Sequence, residues 1–486
     1  MRLSELLREV EFEGNIKNDF DIKFVTDDSR LVRPGALFVC IRHRSFDGHT
    51  AAAEALASGA AAVVTQERLG LENELNVADS RAAYARLCAA LCGHPERKLR
   101  MIGVTGTNGK TTVTTLIRNI LSDSGIKTLL TGTVCNRLGE ESLPSGLTTP
   151  KPPELYLLLS RAVLSGCEAC VAEASSQALA QGRLEGIAFD AAVFTNITRD
   201  HLDYHGTFEN YLAAKKKLFE HSEVSAVNLD DPRADEIIAA SSGKTVTFST
   251  VLDCADYTAK NISLLPEGVS FELVSKGRIE HINFASPGLF SVSNAMAAAV
   301  CAINLGVDPR SAAQSLARSK GVCGRLERVE CGTPYSVIID YAHTPDGLEQ
   351  VLRALRPSCR GKLIVLFGCG GDRDKTKRPL MGAAACKYAD TVIVTSDNPR
   401  SEEPMRIIGD ILKGTDKKRR GLFIEEDRRR ATALALSLAK PGDTVLLAGK
   451  GHEKYQLICG EKLPLDERET VREILGLPHD TGRKKP

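Results

Sequence analysis

Residues 103–112 form a glycine-rich turn between an apolar run and a helical pattern. The apolar run at 101–105 predicts a strand, so the chain passes from strand to helix through Gly106 and Gly109. A turn of this kind points backbone N–H groups inward and cradles the phosphates of a nucleotide. A chain built around it is expected to contain a parallel, helix-covered sheet.

The residues that end this turn carry the chemistry of a phosphate loop. Lys110 is placed to reach terminal phosphates, and the hydroxyl of Thr111 or Thr112 is placed for Mg²⁺. The standard loop has a glycine five residues before the Gly-Lys pair, where this chain has Val104. A glycine loop of this length also occurs as a simple helix cap, but the Gly-Lys-Thr-Thr ending after a strand favours ATP binding.

The length of the chain predicts several domains. It has 486 residues, 43% of them hydrophobic, which exceeds what one hydrophobic core usually organises. We predict an α/β protein of three domains: a small N-terminal α/β domain at 1–94, a central parallel-sheet ATPase domain with the phosphate loop at 95–322, and a Rossmann-like C-terminal domain at 323–486. Residues 478–486 are predicted to be disordered.

Strands alternate with helices in both larger domains. The strands of the central domain are expected at 101–105, 127–131, 169–173, 191–196 and 226–229, and those of the C-terminal domain at 336–340, 362–367, 391–395 and 444–448. A β-rich stretch is expected at 245–285. Helices are expected at 50–58, 80–92, 211–219 and 293–305.

Charge and hydropathy exclude some classes of function. The 63 basic residues nearly cancel the 62 acidic ones, for a net charge of +1, so nothing favours a nucleic-acid partner. No apolar stretch approaches the ~18 to 20 residues that span a bilayer. We expect a cytoplasmic monomer that binds no nucleic acid and does not insert into membranes.

The fourteen cysteines are scattered through apolar contexts and are expected to be mostly small core residues. Cys167 and Cys170 have the spacing of a metal or redox pair. No second pair follows at zinc-finger distance, so the core interpretation is favoured.

Polar side chains at the carboxyl ends of strands deserve most weight, because ligands of open α/β sheets gather there. Glu173 closes an apolar run and could meet a Mg²⁺ at the phosphate loop, or could simply be an acid at a helix N-terminus. Asp200 and His201 follow another strand and are placed to hold a second cation. His205 is close behind and could merely stabilise its loop.

Three consecutive lysines, Lys215, Lys216 and Lys217, lie in the predicted helix 211–219. Alone they are typical of a solvated basic face, and composition does not select one of them. A lysine at a phosphoryl-transfer site neutralises developing charge, or reacts with CO₂ to give a carbamate that binds Mg²⁺.

Two charged loops follow neighbouring strands of the predicted C-terminal domain, at 368–375 and 397–400. Each alone could be an ion-paired surface loop. Together they favour a site for a charged small molecule, in which a guanidinium forks onto a carboxylate.

These segments resemble the Mur ligase family, ATP-dependent amide-forming enzymes of peptidoglycan synthesis, and the resemblance covers essentially the whole chain. The motifs that carry it are Asp28-Ser29-Arg30, 106–112, Thr148-Thr149-Pro150, 173–176, Thr195-Asn196, 200–206, Ala214-Lys215, 340–345, 370–373, 397–400 and 449–453.

The resemblance implies a role for each matching residue. The ATP residues would be Gly106, Thr107, Asn108, Gly109, Lys110, Thr111, Thr112, Asn294, Arg325 and Asp340. The UDP-substrate residues would be Ser29, Thr148, Thr149, Ser175, Gln181 and Arg183, with the loop 44–47 nearby. Mg²⁺ would be held by Thr111, Glu173, His201 and a carbamylated Lys215, and catalysis would depend on Lys110, Lys215, His201 and Glu173. The amino-acid pocket would contain Arg373, Asp397, Asn398, Pro399, Arg400, Gly449 and Glu453.

The implied reaction joins UDP-N-acetylmuramoyl-L-Ala-D-Glu to meso-2,6-diaminopimelate through an acyl phosphate made from ATP, with Mg²⁺ and Lys110 offsetting charge. Arg400 favours diaminopimelate over L-lysine, because only diaminopimelate has a distal carboxylate for a guanidinium to bind.

Three alternatives stay open at this point. They are a lysine-adding ligase of the same family, a folylpolyglutamate synthetase, and a nucleotide-binding regulatory protein without activity. Arg400 argues against the first, and the added N-terminal domain with Asp28-Ser29-Arg30 argues against the second. The third predicts loss of Lys110, Glu173, His201 or Lys215, and all four are present. The sequence departs from the family pattern at Gln177, Ser291 and Cys323.

Overall fold

The computed structural model describes residues 1–14, 16–43, 46–265, 267–319, 321–416 and 419–478. The chain divides into two compact units. The first contains Met1–Ile197, Tyr204–Thr247 and Val300–Asp308, and the second contains Thr198–Asp203, Phe248–Ala299 and Pro309–Pro486. The predicted disordered tail lies outside the described residues, apart from Pro478.

The N-terminal part of the first unit is built on a four-stranded parallel sheet of order β1-β2-β3-β4. Its elements are α1 Leu3–Leu6, β1 Phe24–Thr26, β2 Ala36–Val39, α2 Ala52–Ala57, β3 Ala60–Thr65, β4 Glu74–Asn76 and α3 Ser80–Leu91. Alternate residues of β2 and β3 enter opposite core clusters. Phe38 and Val63 pack with α2, whereas Leu37 and Val64 join the core of the rest of the unit.

The phosphate-loop sheet occupies the remainder of the first unit, with strand order β11-β10-β5-β9-β6-β7-β8. Along the chain its elements are β5 Arg100–Thr105, α4 Lys110–Asp123, β6 Thr128–Thr131, β7 Asn136–Leu138, β8 Glu141–Leu143, α5 Pro152–Leu164, β9 Ala169–Glu173, α6 Ser176–Ala180, β10 Phe189–Phe194, α7 Leu202–His205, α8 Phe208–Lys216, β11 Ser222–Asn228 and α9 Ala234–Ala240. Strands β11, β10, β5, β9 and β6 are parallel, as predicted. Their carboxyl ends therefore share one edge of the sheet.

The β-rich stretch is confirmed as β12 Lys244–Ser249, β13 Tyr257–Leu265, β14 Gly268–Ser275 and β15 Arg278–Phe284. The last three strands form an antiparallel meander in the second unit. Helices α10 Leu289–Asn304 and α11 Pro309–Arg318 follow. The predicted helix at 293–305 thus begins four residues earlier than expected.

The C-terminal sheet has six strands in the order β16-β17-β21-β18-β19-β20, and all of its pairings except β16 with β17 are parallel. Its elements are β16 Glu327–Arg328, β17 Ser336–Asp340, α12 Pro345–Leu355, β18 Leu363–Phe367, α13 Lys377–Tyr388, β19 Thr391–Val394, α14 Pro404–Leu412, β20 Leu422–Ile424, α15 Arg428–Leu438 and β21 Thr444–Ala448. A hairpin of β22 Tyr455–Ile458 and β23 Glu461–Pro464 and helix α16 Glu467–Ile474 complete the chain. Strands β17, β18, β19 and β21 contribute residues to core clusters on both faces of the sheet, which fits their continuous apolar runs.

Two predicted helices in the first unit have different bounds. The segment predicted as one helix at 50–58 is a 3₁₀ turn, Gly48–Ala51, followed by α2. The helix predicted at 211–219 is α8, Phe208–Lys216, because the side chain of Thr207 caps the backbone N–H of Asn210 and starts the helix earlier. Among the described residues no helix is both long and apolar enough to cross a membrane.

Eight of the fourteen cysteines are buried, among them Cys170 in β9 and Cys167 two residues before that strand, which fits the core interpretation. Burial raises the pKa of the Cys170 thiol well above its usual range. No cluster of three or more His, Cys, Asp or Glu side chains suited to a metal was found in the part of the chain that the structure describes.

Candidate active site

The phosphate loop connects β5 to α4 and is held by the strand-end segment Thr195-Asn196. The backbone N–H of Thr107 donates to the Asn196 carbonyl (2.8 Å), and the N–H of Asn108 donates to the Asn196 side-chain oxygen (3.0 Å). In return the Thr195 hydroxyl donates to the Asn108 carbonyl (2.6 Å). The loop is therefore fixed by the neighbouring strand β10, whose carboxyl end lies beside that of β5.

Gly106 and Gly109 are required by two different local geometries. A Cβ atom on Gly106 would overlap the Thr195 hydroxyl and press on the Asn196 carbonyl. Gly109 has φ +88° at the N-terminal cap of α4, in the left-handed region that glycine adopts without strain. The close approach of the loop to β10 thus depends on the absence of a side chain at position 106.

Two lysines donate to the carbonyl of Gly106. Lys110 Nζ lies 2.8 Å from this oxygen and 2.9 Å from the Thr107 carbonyl. Lys215 Nζ, on α8, lies 2.7 Å from the same Gly106 oxygen and 4.6 Å from the ring centre of Tyr211. The Tyr211 hydroxyl is in turn 3.0 Å from the Thr107 hydroxyl. The structure thus brings both predicted catalytic lysines to the phosphate loop.

Only one of the three consecutive lysines at the end of α8 is buried. The Lys215 side chain is 1% exposed, Lys216 is half-buried and Lys217 is exposed. The helical repeat turns position 215 towards the loop, which composition alone did not reveal.

Glu173 ends β9 and is 1% exposed. Its carboxylate accepts hydrogen bonds from the Thr111 hydroxyl (3.1 Å), the Thr133 hydroxyl (2.9 Å) and the Thr133 backbone N–H (2.8 Å). Glu173 therefore lies beside the phosphate loop, and its contact with Mg²⁺ stays a prediction. The cap of the next helix is Ser175, whose hydroxyl accepts from the Ala178 N–H, so Glu173 is not the capping residue.

Five predicted substrate residues form one hydrogen-bonded group beside Glu173. The Thr149 hydroxyl donates to the Glu173 carbonyl (2.5 Å) and lies 3.1 Å from the Ser175 hydroxyl. Arg183 donates to the Thr149 carbonyl (2.7 Å) and to the Gln181 side-chain oxygen (2.7 and 3.0 Å). Thr148 lies 3.1 Å from the Thr133 hydroxyl. The sequence predicted these members separately, and the structure joins them.

Ser29 lies in a 3₁₀ turn of the N-terminal part, capped by Asp28. The ion pair with Arg30 holds the pKa of Asp28 at about 2. Asp27, the next residue towards the N-terminus, accepts from Lys151 (3.0 and 3.3 Å), which directly follows the Thr148–Pro150 motif. Arg44, in the predicted substrate loop, lies outside the described residues.

A cavity of about 410 Å³ in the first unit is lined by Arg42, His43, Arg81, Gln181 and Tyr204. The sequence did not predict Arg42 and Arg81. Both lie near turn-forming residues in the sequence, and both carry charges that suit an anionic ligand. Gln181 connects the cavity to the predicted substrate residues, because its amide donates to the Tyr204 hydroxyl (3.0 Å).

Four further predicted residues belong to the second unit. His201 has φ +53° and its Nε2 lies 3.5 Å from the Asp200 carboxylate. Asn294 is buried in α10. Arg325 stacks on the ring of Tyr341, 4.8 Å from its centre. Asp340 ends β17 and accepts from the N–H groups of Leu326 and Ala342, each at 2.7 Å, and burial raises its pKa.

The predicted amino-acid residues lie in three loops, 368–375, 397–400 and 449–453. These loops follow the carboxyl ends of β18, β19 and β21. The Arg400 guanidinium donates to the Gly371 carbonyl (2.6 Å), and the Asn398 amide donates to Glu453 (2.9 Å). A Cβ atom on Gly449 would press on the Asp397 carboxylate. Pro399 is buried, whereas Arg373 is exposed. The loops thus form one cluster, with Arg373 at its exposed margin.

Models of three Mur ligase domains match the chain: "Mur ligase family, catalytic domain" at 21–89, "Mur ligase middle domain" at 104–302 and "Mur ligase, glutamate ligase domain" at 324–451. A relative from Syntrophomonas wolfei, named UDP-N-acetylmuramoyl-L-alanyl-D-glutamate--2,6-diaminopimelate ligase, is 42% identical over 98% of this chain and 99% of its own length. A relative of the same name from Caldanaerobacter subterraneus is 43% identical, with the same coverage.

The chain belongs to the Mur ligase family.

Solved structures agree with this assignment. One, titled as the structure of a UDP-N-acetylmuramoyl-L-alanyl-D-glutamate--2,6-diaminopimelate ligase, is 34% identical, covers 98% of this chain and 99% of its own, and has a TM-score of 0.72. Mycobacterium tuberculosis folylpolyglutamate synthase, solved with ADP and AMPPCP, is 18% identical with a TM-score of 0.62 over 82% of this chain and 95% of its own. That likeness shows the shared fold alone. The predicted α/β fold class is confirmed.

Sequence reasoning missed two residues of this Mur ligase that support its predicted sites. Thr133 binds Glu173 and stands just after β6, so the rule of strand carboxyl ends could have found it. Lys450 is fully buried and contacts Asn398 and Glu453. From the motif 449–453 only Gly449 and Glu453 were predicted as site residues, because a lysine in a loop is usually exposed.

A buried ion pair also contacts the backbone next to the loops of the predicted amino-acid pocket in this Mur ligase. Arg428 donates to the carbonyls of Ser396 (3.3 Å) and Ala448 (2.7 Å), which precede the loops 397–400 and 449–453, and pairs with Glu467 (2.7 Å). Both side chains of the pair are 1% exposed. Of the family departures, Cys323 accepts a hydrogen bond from Arg468 (3.0 Å), and Ser291 donates to the Pro287 carbonyl (2.8 Å).

The substitution Gly106→Ala tests the prediction that the loop binds ATP. The added methyl group must displace Thr195 and Asn196, which hold the loop, so we expect the affinity for a non-hydrolysable ATP analogue with Mg²⁺ to fall at least about tenfold in calorimetric titration. Gly409→Ala is the control, since a Cβ there meets nothing within 4 Å. Wild-type affinity in folded Gly106→Ala protein would contradict the prediction.

Proposed function

We propose that this Mur ligase is an ATP-dependent, ADP-forming amide ligase that adds meso-2,6-diaminopimelate to the D-Glu of UDP-N-acetylmuramoyl-L-Ala-D-Glu, in peptidoglycan precursor synthesis. The observation that carries the proposal is the buried cluster at the loop. Lys110 and Lys215 share the Gly106 carbonyl there, and Thr111 binds Glu173. The names of the relatives supply the substrate class.

ATP is proposed to bind with its phosphates along the loop 106–112. The N-terminus of α4 faces the loop, so its dipole favours an anion. Lys110 would exchange its two carbonyl contacts for phosphate oxygens, which are stronger partners for an ammonium group. Asn294, Arg325 and Asp340 are the other proposed contacts with ATP.

The donor set at Glu173 fits Mg²⁺. This ion prefers carboxylate and hydroxyl oxygens and keeps places for substrate phosphates, and here the Glu173 carboxylate and the Thr111 hydroxyl lie 3.1 Å apart. Thr133 holds the carboxylate from the other side. His201 and Lys215 are the other proposed ligands. Bound Mg²⁺ would supply positive charge that offsets the charge on the transferring phosphoryl group.

Lys215 is the proposed site of carbamylation. A fully buried ammonium costs free energy unless it is well paired, and reaction of its neutral amine with CO₂ converts it into an anionic oxygen ligand. The C–N bond forms between Nζ and the carbon of CO₂, and the amine loses one proton. The adjacent Gly106 carbonyl would then still accept a hydrogen bond from the remaining N–H.

The reaction needs two displacements. A carboxylate oxygen of D-Glu attacks the γ-phosphorus as the bond to ADP breaks, and Lys110 offsets the charge that develops. The amine of diaminopimelate, after losing a proton, then attacks the acyl carbon, and phosphate leaves with the C–O bond electrons. Thr148, Thr149, Ser175, Gln181 and Arg183 would hold the muramoyl-dipeptide, and Ser29 its UDP end.

The amino acid is proposed to bind at the cluster formed by the loops 368–375, 397–400 and 449–453. Arg400 would bind the distal carboxylate of diaminopimelate. The carboxylates of Asp397 and Glu453 would accept hydrogen bonds from an ammonium group of diaminopimelate. Asn398, Pro399, Gly449 and Arg373 complete the proposed pocket. We retain the division into domains 1–94, 95–322 and 323–486, and a monomeric cytoplasmic protein, as parts of the proposal.

Phosphate release tests the proposed reaction. With ATP, Mg²⁺ and UDP-N-acetylmuramoyl-L-Ala-D-Glu, we expect sustained release with meso-diaminopimelate and almost none with L-lysine or without an amino acid. The product mass should show the added diaminopimelate. Release with lysine alone would identify a lysine-adding enzyme, and silence with every amine in protein that binds ATP would favour a non-catalytic role.

Arg400→Met tests the selectivity argument. Loss of the charged contact to the distal carboxylate should raise the KM for diaminopimelate about 100-fold, without lowering the slow turnover of lysine. Arg406→Met is the matched control, because Arg406 is exposed on α14. An equal loss with both amino acids would show that Arg400 acts on the fold and not on the distal carboxylate.

A further inference from the structure

We propose that Lys450 is a positioning residue of the amino-acid site, whose buried ammonium group orients Asn398 and Glu453 and helps to set the preference for diaminopimelate over lysine. The inference rests on the proposed function, because it assigns Lys450 to the same site. It concerns contacts within the second unit only.

The ammonium of Lys450 has been withdrawn from water. The side chain is 0% exposed, and its Nζ lies 2.6 Å from Glu453 Oε2, 2.8 Å from Asn398 Oδ1 and 4.0 Å from Asp397 Oδ1. A buried cation is stable only when hydrogen bonds and opposite charge replace its hydration. All three partners belong to the proposed amino-acid pocket, so the position of the cation and the shape of the pocket depend on each other.

Lys450 fixes which way the Asn398 amide faces. Asn398 Oδ1 accepts from Lys450 and also from the backbone N–H of Leu457 (2.8 Å). Two donors on this side exclude the flipped amide, whose NH₂ group would face them. The Asn398 NH₂ must therefore point to Glu453, where it lies 2.9 Å from Oε2.

The same two residues orient the Glu453 carboxylate. Oε2 accepts from both Lys450 and Asn398, whereas Oε1 has a longer contact with the Tyr341 hydroxyl (3.4 Å). Oε1 therefore retains lone pairs for the ammonium group of an amino acid. The Glu453 side chain is 16% exposed, so a ligand reaches it, while Lys450 behind it is sealed.

The charge of the cluster explains the effect on selectivity. Asp397 and Glu453 supply two negative charges, Lys450 and Arg400 supply two positive charges, and Arg373 adds a third at the exposed margin. The distal end of diaminopimelate carries both a carboxylate and an ammonium and suits a site with charges of both signs, whereas the distal end of lysine carries only an ammonium. Removing Lys450 leaves the cluster one charge more negative and should make it more tolerant of lysine.

Lys450→Met removes the charge but keeps an unbranched side chain of similar length. We expect the KM for diaminopimelate to rise about 30-fold, while the KM values for ATP and the UDP-dipeptide stay within about twofold of wild type. The ratio of kcat/KM for diaminopimelate to that for lysine should fall about tenfold. Lys454→Met is the control, because Lys454 is a neighbouring lysine with a 73% exposed side chain.

A double-mutant cycle with Glu453→Gln separates positioning from general stability. With Glu453 neutral, adding Lys450→Met should change the KM for diaminopimelate less than about threefold, because the charge that Lys450 orients is gone. The same large effect in both backgrounds, or a lower Tm without a change in KM, would overturn the inference.

Two safeguards keep the test decisive. If Lys450→Met does not fold, Lys450→Gln replaces it, and this shorter neutral variant should also lose the diaminopimelate preference because the charge is gone; an unchanged preference in the folded variant would contradict the inference. Wild-type turnover with diaminopimelate is measured first. Its absence counts against the proposed function, whereas its presence with an unchanged KM in Lys450→Met counts against the role of Lys450 alone.

Discussion

The contact of Gly106 with the end of β10 is the constraint on which the phosphate site depends. The loop can lie against Thr195 and Asn196 only because position 106 has no Cβ atom. In that position the Gly106 carbonyl accepts hydrogen bonds from both Lys110 and Lys215, and the hydroxyl of Thr111, in the first turn of α4, reaches Glu173. A single backbone position thus sets the distances among residues that are far apart in the chain.

The cluster formed by the loops 368–375, 397–400 and 449–453 follows a different physical rule. Here buried charges organise loops at the ends of parallel strands. Arg428 donates hydrogen bonds to the carbonyls that precede the loops 397–400 and 449–453. Lys450 donates to Asn398 in the first of these loops and to Glu453 in the second. Each cation is almost inaccessible to water, so each needs its full set of acceptors. The cost of burying them is offset by these acceptors, and the loops gain a fixed geometry without regular secondary structure.

The sequence predicted the parts of the structure that depend on local pattern. Continuous apolar runs gave β17 and β21 with their observed bounds, and the glycines with Lys110 located the phosphate loop. What it could not predict depends on contacts between distant segments. The burial of Lys215 rather than Lys217 follows from how α8 packs, and the role of Thr133 follows from the pairing of β6 with β9. The start of α8 was wrong because Thr207 was not recognised as its cap.

The fate of a carboxylate oxygen shows whether this site activates a carboxylate as an acyl phosphate. UDP-N-acetylmuramoyl-L-Ala-D-Glu labelled with ¹⁸O at both oxygens of the reacting carboxylate is converted with ATP and diaminopimelate, and the released phosphate is analysed by mass spectrometry. We expect one ¹⁸O atom in each phosphate released, because the attacking oxygen leaves with phosphorus. Phosphate without the label, together with amide formation, would contradict it.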